Sequence, residues 1–207
     1  IEIFILALVV AIVGFIVFVE QANRRIPLQS PRRTVGTKTI GGQASYLPFK
    51  VNTAGVIPVI FASSIMFIPA MIASWMPNVS LAQSFAAAFV PGHISYSVIF
   101  ALLIIFFTFF YTAIQYNPND IAENLKKSGG FIPGYRPGKN TAEYIDYVLT
   151  RISLPGSIFL AFISVGPLHL KDALDMSFYI GGTSVLIVVG VALDTLRQLE
   201  AQLHTKN

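Results

Sequence analysis

The stretch from Tyr96 to Tyr116 reads YSVIFALLIIFFTFFYTAIQY, and it contains no charged side chain. Phe, Ile and Leu dominate it, and apart from its tyrosines only Ser97, Thr108, Thr112 and Gln115 interrupt the apolar run. A run of about 20 apolar residues crosses the hydrocarbon core of a bilayer as an α-helix. The segment therefore predicts a transmembrane helix.

The rest of the chain shares this composition. Of its 207 residues, 54% are hydrophobic and 12% are charged, whereas a typical globular protein has about 25% charged residues. So few polar side chains cannot cover a soluble domain, and so apolar a chain does not stay disordered in water. The absence of cysteine excludes disulfide scaffolds and cysteine-ligated metal centres. Because the chain begins at Ile1, inside an apolar run, we expect it to be part of a longer protein.

Five segments are apolar and long enough, or nearly so, to cross a membrane. We therefore predict an all-α integral membrane protein with five transmembrane helices, forming one membrane unit over residues 1–207. The predicted spans cover residues 3–19, 53–76, 96–116, 152–168 and 177–193. The connections cover residues 20–52, 77–95, 117–151 and 169–176, and a tail covers residues 194–207.

The basic residues predict the orientation of these helices. With five alternating spans, the connections 20–52 and 117–151 and the tail lie on one side, and they hold thirteen of the fourteen Lys and Arg residues. Only Lys171 lies on the other side. Lys and Arg accumulate in cytoplasmic loops. We therefore expect both long loops and the C-terminus to be cytoplasmic, and the N-terminus of this chain to be outside.

The second predicted span has unusual chemistry for a membrane helix. Pro58 and Pro69 each lack a backbone N–H, and they flank the adjacent pair Ser63 and Ser64. A proline inside a helix removes a hydrogen bond and bends the axis. The pattern predicts either a helix that bends during function or a helix whose kink only serves packing.

The connection 77–95 carries no Lys, Arg, Asp or Glu. Leu81, Phe85 and Phe89 recur within it at intervals of four residues. This spacing predicts a short helix that lies in the membrane interface or packs on the protein as a re-entrant cap.

The sequence offers no chemistry typical of an enzyme or an ion-coupled transporter. Three histidines stand singly at His93, His169 and His204, with no metal-binding or catalytic motif around them. The predicted spans contain no charged residue, although ion pathways normally place one inside the membrane. We expect no catalytic residue, no metal site and no cofactor.

Three further blocks resemble a known family. Residues 50–64 read KVNTAGVIPVIFASS, residues 130–138 read GFIPGYRPG with TAEYI at 141–145, and residues 181–189 read GGTSVLIVV. In this order they are similar to the SecY family, the channel subunits of the bacterial Sec translocon. The resemblance implies the C-terminal half, helices six to ten, of a ten-helix channel built from two inverted repeats.

The resemblance also implies a function. The chain is then the central part of a protein-conducting channel that translocates unfolded preproteins across the bacterial plasma membrane and inserts membrane proteins into it. The implied partners are SecE, SecG, the ATPase SecA, the ribosome, the preprotein with its signal peptide, the N-terminal half of the channel and membrane lipid.

The same resemblance assigns site residues. Ile60 and Ile187 match the ring of apolar side chains that seals the pore. The positions that match the lateral gate and the signal-sequence contact are Asn52, Val56, Ser64 and Ile68. The basic positions that match the docking surface for SecA and the ribosome are Arg24, Arg25, Arg32, Arg33, Lys38 and Arg136.

Two other functions remain open on the pattern of residues. Half of a solute transporter built from inverted repeats would have a similar number of spans, but it would place polar or charged groups at mid-membrane. An accessory scaffold subunit would need neither the proline-containing helix nor the long basic loops.

Overall fold

The structure is a computed structural model that describes residues 2–40, 42, 44–51, 55, 57–90 and 92–175, and residues 188, 191–192, 195–196, 198–200 and 202–203 near the C-terminus. Its helices are α1 (Glu2–Gln21), α2 (Ile57–Trp75), α3 (Ser80–Ala87), α4 (Ile94–Gln115), α5 (Pro118–Lys127) and α6 (Lys139–Leu174). Its strands are β1 (Asn23–Leu28), β2 (Arg33–Val35), β3 (Lys38–Ile40) and β4 (Ser45–Lys50).

The predicted helical membrane architecture is confirmed in outline. Four helical segments of the described chain are long and apolar enough to cross a membrane, and they contain α1, α2, α4 and α6. The fifth predicted span, residues 177–193, lies outside the described residues except for residues 188, 191 and 192. Residues 23–50 add four short strands that the sequence pattern does not predict.

The first apolar core lies where α1, α2, α4 and α6 meet. Its fully buried side chains come from every one of these helices, and they include Ile16, Val59, Ile104 and Leu160. Helix α4 contacts both α2 and α6, and the rings of Phe61 and Phe107 stack at 5.8 Å between α2 and α4. Apolar side chains occupy almost every position around α4. One side of the helix therefore packs on protein, and the other side is left for lipid.

Helix α6 extends well beyond the predicted span 152–168. Its 36 residues correspond to about 54 Å at 1.5 Å per residue, whereas the hydrocarbon core is about 30 Å thick. The extra turns, from Lys139 to Arg151, repeat apolar residues at helical spacing and bury Ile145, Val148 and Leu149. Hydropathy misses these turns because charged residues occupy their exposed face.

Strands β1 and β4 form an antiparallel ribbon with a proline facing each outer edge. Pro27 lies opposite Tyr46, and Pro48 lies opposite Arg25. Proline has no N–H to donate. Each of the two prolines occupies a position whose backbone points away from the partner strand, so no hydrogen bond across the ribbon is lost. Prolines placed in this way discourage further strands from pairing with a free edge.

A second apolar core lies at the N-terminal end of α6, next to the two basic loops. Ile26 and Phe49 of the ribbon pack there with Ala122 of α5, Ile132 and the first turns of α6. The predicted loops 20–52 and 117–151 therefore form one folded layer rather than two separate loops.

Candidate functional site

One side of α2 has no partner in the described chain. Ile60, Ser64 and Ile68 follow one another at intervals of four residues, so they lie on one face of the helix. Ile60 and Ile68 are each 45% exposed, whereas Val59 and Ala62 on the opposite face are fully buried against the first core. This face therefore requires lipid or another protein segment to cover it.

The backbone of α2 is weakened next to Ile60. The carbonyl oxygen of Ile60 accepts hydrogen bonds from Ser63 Oγ at 2.9 Å and from Ser64 Oγ at 2.8 Å. Such bonds compete with the regular backbone bond to the same carbonyl and often bend a helix. Pro69 lies inside α2, so the carbonyl of Ile65 loses its usual donor as well. The region from Ile60 to Pro69 is therefore the part of α2 that bends most readily.

The predicted kink at Pro58 is wrong. Gly55 has φ of +66°, a left-handed conformation that ends any helix before it. Pro58 then falls in the first turn of α2, where the backbone N–H of any residue has no helical partner. Proline is compatible with that position, so only Pro69 interrupts the helix.

Several predicted site residues lie outside the described residues. These are Asn52, Val56 and Ile187. Ile60, Ser64 and Ile68 are the predicted pore and gate residues that can be located, and all three lie on the exposed face of α2. The roles assigned to them stay predictions.

The two basic loops are joined by a short antiparallel bridge. Gln29 N–H donates to the Phe131 carbonyl at 2.9 Å, and Phe131 N–H donates to the Gln29 carbonyl at 2.9 Å. The loop around Phe131 therefore extends the outer edge of β1 by one pair of bonds. The sequence gives no signal for this pairing, because it joins residues about a hundred positions apart.

The paired arginines of β1 lie on opposite faces of the ribbon. Arg24 is in register with the buried Phe49, and Arg25 is in register with Pro48 on the outward face. Both side chains are exposed. Because adjacent residues of a strand point to opposite faces, a partner that lies flat on one face contacts only one of them directly.

The remaining basic residues of the first loop lie around a second hairpin. Arg33 and Lys38 occupy β2 and β3, where the structure describes their backbones. Arg32 lies against Gly42, at which a Cβ atom would come within 2.7 Å of the arginine side chain. Next to them is an open cavity of about 330 Å³. It is lined by Gln29, Ser30, Pro31, Arg32, Gly42, Ala44 and Phe131.

In the loop that carries Arg136, contacts hold the backbone in place and leave the arginine side chain exposed. Thr141 Oγ1 donates to the Arg136 carbonyl at 2.8 Å. The neighbouring Tyr135 ring stacks on Tyr144 of α6 at 4.2 Å. Arg136 is exposed, and among the described residues its guanidinium forms no ion pair. A cation presented in this way is available to an acidic partner.

One polar contact was missed by the sequence reading. Ser97 Oγ and His169 Nε2 are 2.8 Å apart and join the start of α4 to the last turns of α6. His169 therefore contacts a polar side chain of a neighbouring membrane helix. Over the described ranges, no three His, Cys, Asp or Glu side chains come together in a way that could hold a metal ion.

Comparison with known proteins gives a consistent result. The family model described as SecY matches residues 1–196. Protein translocase subunit SecY of Streptomyces scabiei is 46% identical over 98% of this chain and 47% of its own length. The Streptomyces griseus protein of that name is 50% identical, covering 94% and 46% of the two chains. Protein translocase subunit SecY of Haemophilus influenzae is 46% identical over 96% of this chain and 46% of its own length. The chain thus spans about half the length of the curated relatives it matches.

Two solved structures share the fold. The structure described as "The structure of a protein conducting channel" aligns with a TM-score of 0.63 at 18% identity, covering 93% of this chain and 48% of that chain. A second structure, of a SecY protein whose plug domain stabilises the closed state of the translocation channel, aligns at 0.54 with 19% identity and the same coverage. At such identities the structures support the architecture, whereas the family model covers nearly the whole sequence. This chain belongs to the SecY family.

Proposed function

We propose that this chain forms one half of a protein-conducting channel in the bacterial plasma membrane. The channel translocates unfolded preproteins and releases membrane-spanning segments into the bilayer. The unpartnered face of α2 carries this proposal, because Ile60, Ser64 and Ile68 are exposed on a helix whose other side is packed. In this proposal the missing wall is the N-terminal half of the channel, which agrees with relatives about twice as long as this chain.

Ile60 and Ile187 contribute to the seal of the idle pore. A channel for chains of any sequence must not bind them tightly, yet it must exclude ions when it is empty. A narrow apolar constriction meets both needs, because it dewets and offers an ion no substitute for its water shell. Isoleucine suits this role because it is bulky, apolar and stiff at χ1.

The weakened backbone of α2 supports a moving gate. Ser63, Ser64 and Pro69 remove or divide hydrogen bonds within about three turns of helix, so bending there costs less than in a regular helix. In this proposal Asn52, Val56, Ser64 and Ile68 face the lateral gate and contact the signal sequence. Their mixture of small polar and apolar side chains suits a surface that opens and closes against an apolar peptide.

The basic layer serves as the docking surface on the cytoplasmic side. We assign contacts with SecA and the ribosome to Arg24, Arg25, Arg32, Arg33, Lys38 and Arg136. SecE and SecG complete the membrane part of the complex. Because the two loops share an apolar core and the Gln29–Phe131 bridge, a partner that binds one loop also acts on α6. The N-terminus of the chain then lies outside, and its C-terminus lies in the cytoplasm.

The alternative of half a solute transporter has less support. It requires polar or charged groups near mid-membrane, and α2 and α4 contain no charged residue. Membership of the SecY family also favours the channel.

Paired substitutions test the seal in the assembled channel. Replacing Ile60 and Ile187 together by Asn is expected to raise closed-state ion conductance in planar bilayers at least tenfold, since a polar neck no longer dewets. The same variant should export preproteins with defective signal sequences.

Ile65 and Val188 provide the matched control, because they are apolar neighbours of the ring positions: Ile65 lies five residues after Ile60, and Val188 directly follows Ile187. Their replacement by Asn should leave the conductance low. An equal leak in both double variants would contradict the assignment of the ring.

A further inference from the structure

The connection between α2 and α4 contains a short helix, α3, with three different faces. Ala82 and Ala86 are half-buried, and Phe89, in the turn that follows the helix, packs on the first core. Leu81 and Phe85 form an apolar face that is 80% and 60% exposed. Rotating further around the helix reaches a polar exposed face, formed by Ser80, Gln83 and Ser84.

This arrangement of faces matches a helix at a boundary between lipid and water. The protein lies on one side, an uncovered apolar face lies next to it, and the polar face points away. A helix with water on all its free sides would leave Leu81 and Phe85 exposed without compensation, and such exposed apolar patches in proteins mark sites of contact. A helix surrounded by lipid would leave Gln83 and Ser84 without partners from water.

Exposed apolar surface is also present at the ends of the two membrane helices that flank α3. Trp75, at the end of α2, is 73% exposed, and Ile94, at the start of α4, is 77% exposed. From Ile94 the surface runs along α4 at four-residue intervals. Its further members are Val98, Leu102, Phe106, Phe110 and Ile114. An exposed, uncharged stripe of this kind on a membrane helix suits contact with lipid, and α3 lies between the ends of two such helices.

Helix α3 is held in place before it meets any partner. Gln83 Nε2 donates to the Pro77 carbonyl at 2.6 Å, and Ser95 Oγ donates to the Ala88 carbonyl at 3.0 Å. The rings of Phe85 and Phe89 contact each other at 5.0 Å, which links the exposed face to the packed one. Little ordering of the segment is therefore needed when it binds.

We infer that α3 is an interfacial anchor, which inserts Leu81 and Phe85 into the lipid leaflet on the side opposite the basic loops. The occupant is lipid because α3 lies within seven residues of the ends of two membrane helices, and its adjoining apolar and polar faces are those of an interfacial helix. Insertion depends on apolar contact alone, since residues 77–95 contain no Lys, Arg, Asp or Glu that could attract a charged headgroup. This inference requires only that the chain is a membrane protein, and it does not depend on the pore or the gate.

Lipid-attached quenchers test the inference in the assembled channel. Single cysteines at Phe85 and, separately, at Ser84 are labelled with an environment-sensitive fluorophore, and the complex is reconstituted in phosphatidylcholine nanodiscs. Nitroxide groups at carbon 5 of the acyl chains should quench the label at position 85 at least twofold more than the label at position 84. Iodide in the water should show the reverse order. Leu81→Cys repeats the measurement on the same face if Phe85→Cys does not assemble.

Two other results would overturn the inference. Quenching of positions 81 and 85 by iodide, with no response to nitroxide lipid, would show that the face lies in water. Protection of both positions from both quenchers would show that another protein segment covers it.

Discussion

Arg136 illustrates how a single residue can be both fixed and available. The hydrogen bond from Thr141 and the stacking of Tyr135 on Tyr144 hold the backbone around it. Pro133 and Pro137 restrict φ on either side. The guanidinium itself remains exposed. An arginine held in this way offers a rigid pair of donors to carboxylate or carbonyl oxygens, which the flexible ammonium of lysine does not reproduce.

We therefore predict that Arg136→Glu lowers SecA-driven secretion at least tenfold while assembly with SecE stays normal. Reversal of the charge removes the donor fork and repels acidic groups of a partner, whereas the backbone contacts of the loop do not use the side chain. Transport of a preprotein into inverted vesicles measures the first quantity, and co-purification of SecE measures the second. Normal transport by both Arg136→Glu and Arg136→Lys would mean that the residue only contributes to topology.

At the scale of elements, the Gln29–Phe131 bridge joins parts of the chain that no local pattern connects. It consists of two backbone hydrogen bonds. The second core lies behind it, with Ile26 buried three residues before Gln29 and Ile132 buried directly after Phe131. A backbone contact of this kind can be broken at one position without changing the exposed charges around it. That property makes the coupling of the two loops open to experiment.

We predict that Gln29→Pro loosens the bridge, because proline removes the N–H that donates to the Phe131 carbonyl. The loss of one hydrogen bond changes stability by about 1 kcal/mol, so amide exchange of Phe131 should become roughly five- to tenfold faster. Hydrogen exchange measured by mass spectrometry on peptides covering residues 129–135 reports this change. Gln29→Ala keeps the N–H and should exchange at the original rate. Equal rates in all three proteins would show that the second core alone joins the loops.

The elements differ in how far the sequence predicts them. Helices α1, α2 and α4 can be located from hydropathy, because lipid requires a long run without charge. The ribbon cannot be located in this way, since β1 has the sequence NRRIPL, with adjacent arginines and a proline where alternation would be expected. Its pairing depends instead on the burial of Ile26 and Phe49 against α5 and α6. The length of α6 is missed for a similar reason, because its first turns are buried by protein and not by lipid.

The candidate site likewise has features that the sequence predicts and features that it does not. The exposed face of α2 follows from helical spacing, which places Ile60, Ser64 and Ile68 together. That both serine hydroxyls bond to the Ile60 carbonyl is a matter of rotamer choice, which spacing does not determine. The separation of Arg24 from Arg25 depends on a strand, and it could not be predicted while the segment was read as a loop.

At the scale of the whole molecule, α6 connects two apolar cores of different kinds. Its first turns pack in the layer that contains the basic loops, and its later residues, such as Leu160 and Ile163, pack among the membrane helices. Helix α6 therefore links the basic layer directly to the core behind α2. Pro155 and Pro167 lie inside α6, and they are the positions at which this helix would bend.

The orientation of the molecule gives the last prediction. Thirteen of fourteen basic residues lie in the two long connections and the tail. Because translocating such charges is unfavourable, we expect these parts to stay in the cytoplasm. Ser30 lies in the basic layer before α2, and Ser80 opens α3 at the other end of α2, with both side chains exposed.

Single cysteines at these positions in the assembled channel should react with a membrane-impermeant maleimide from opposite sides. Ser30→Cys should label only when the cytoplasmic face is accessible, and Ser80→Cys should label in intact cells, because the polar face of an interfacial α3 remains in water. If both cysteines label from the same side, α2 does not cross the membrane, and the proposed positions of the pore face and of the α3 anchor are both wrong.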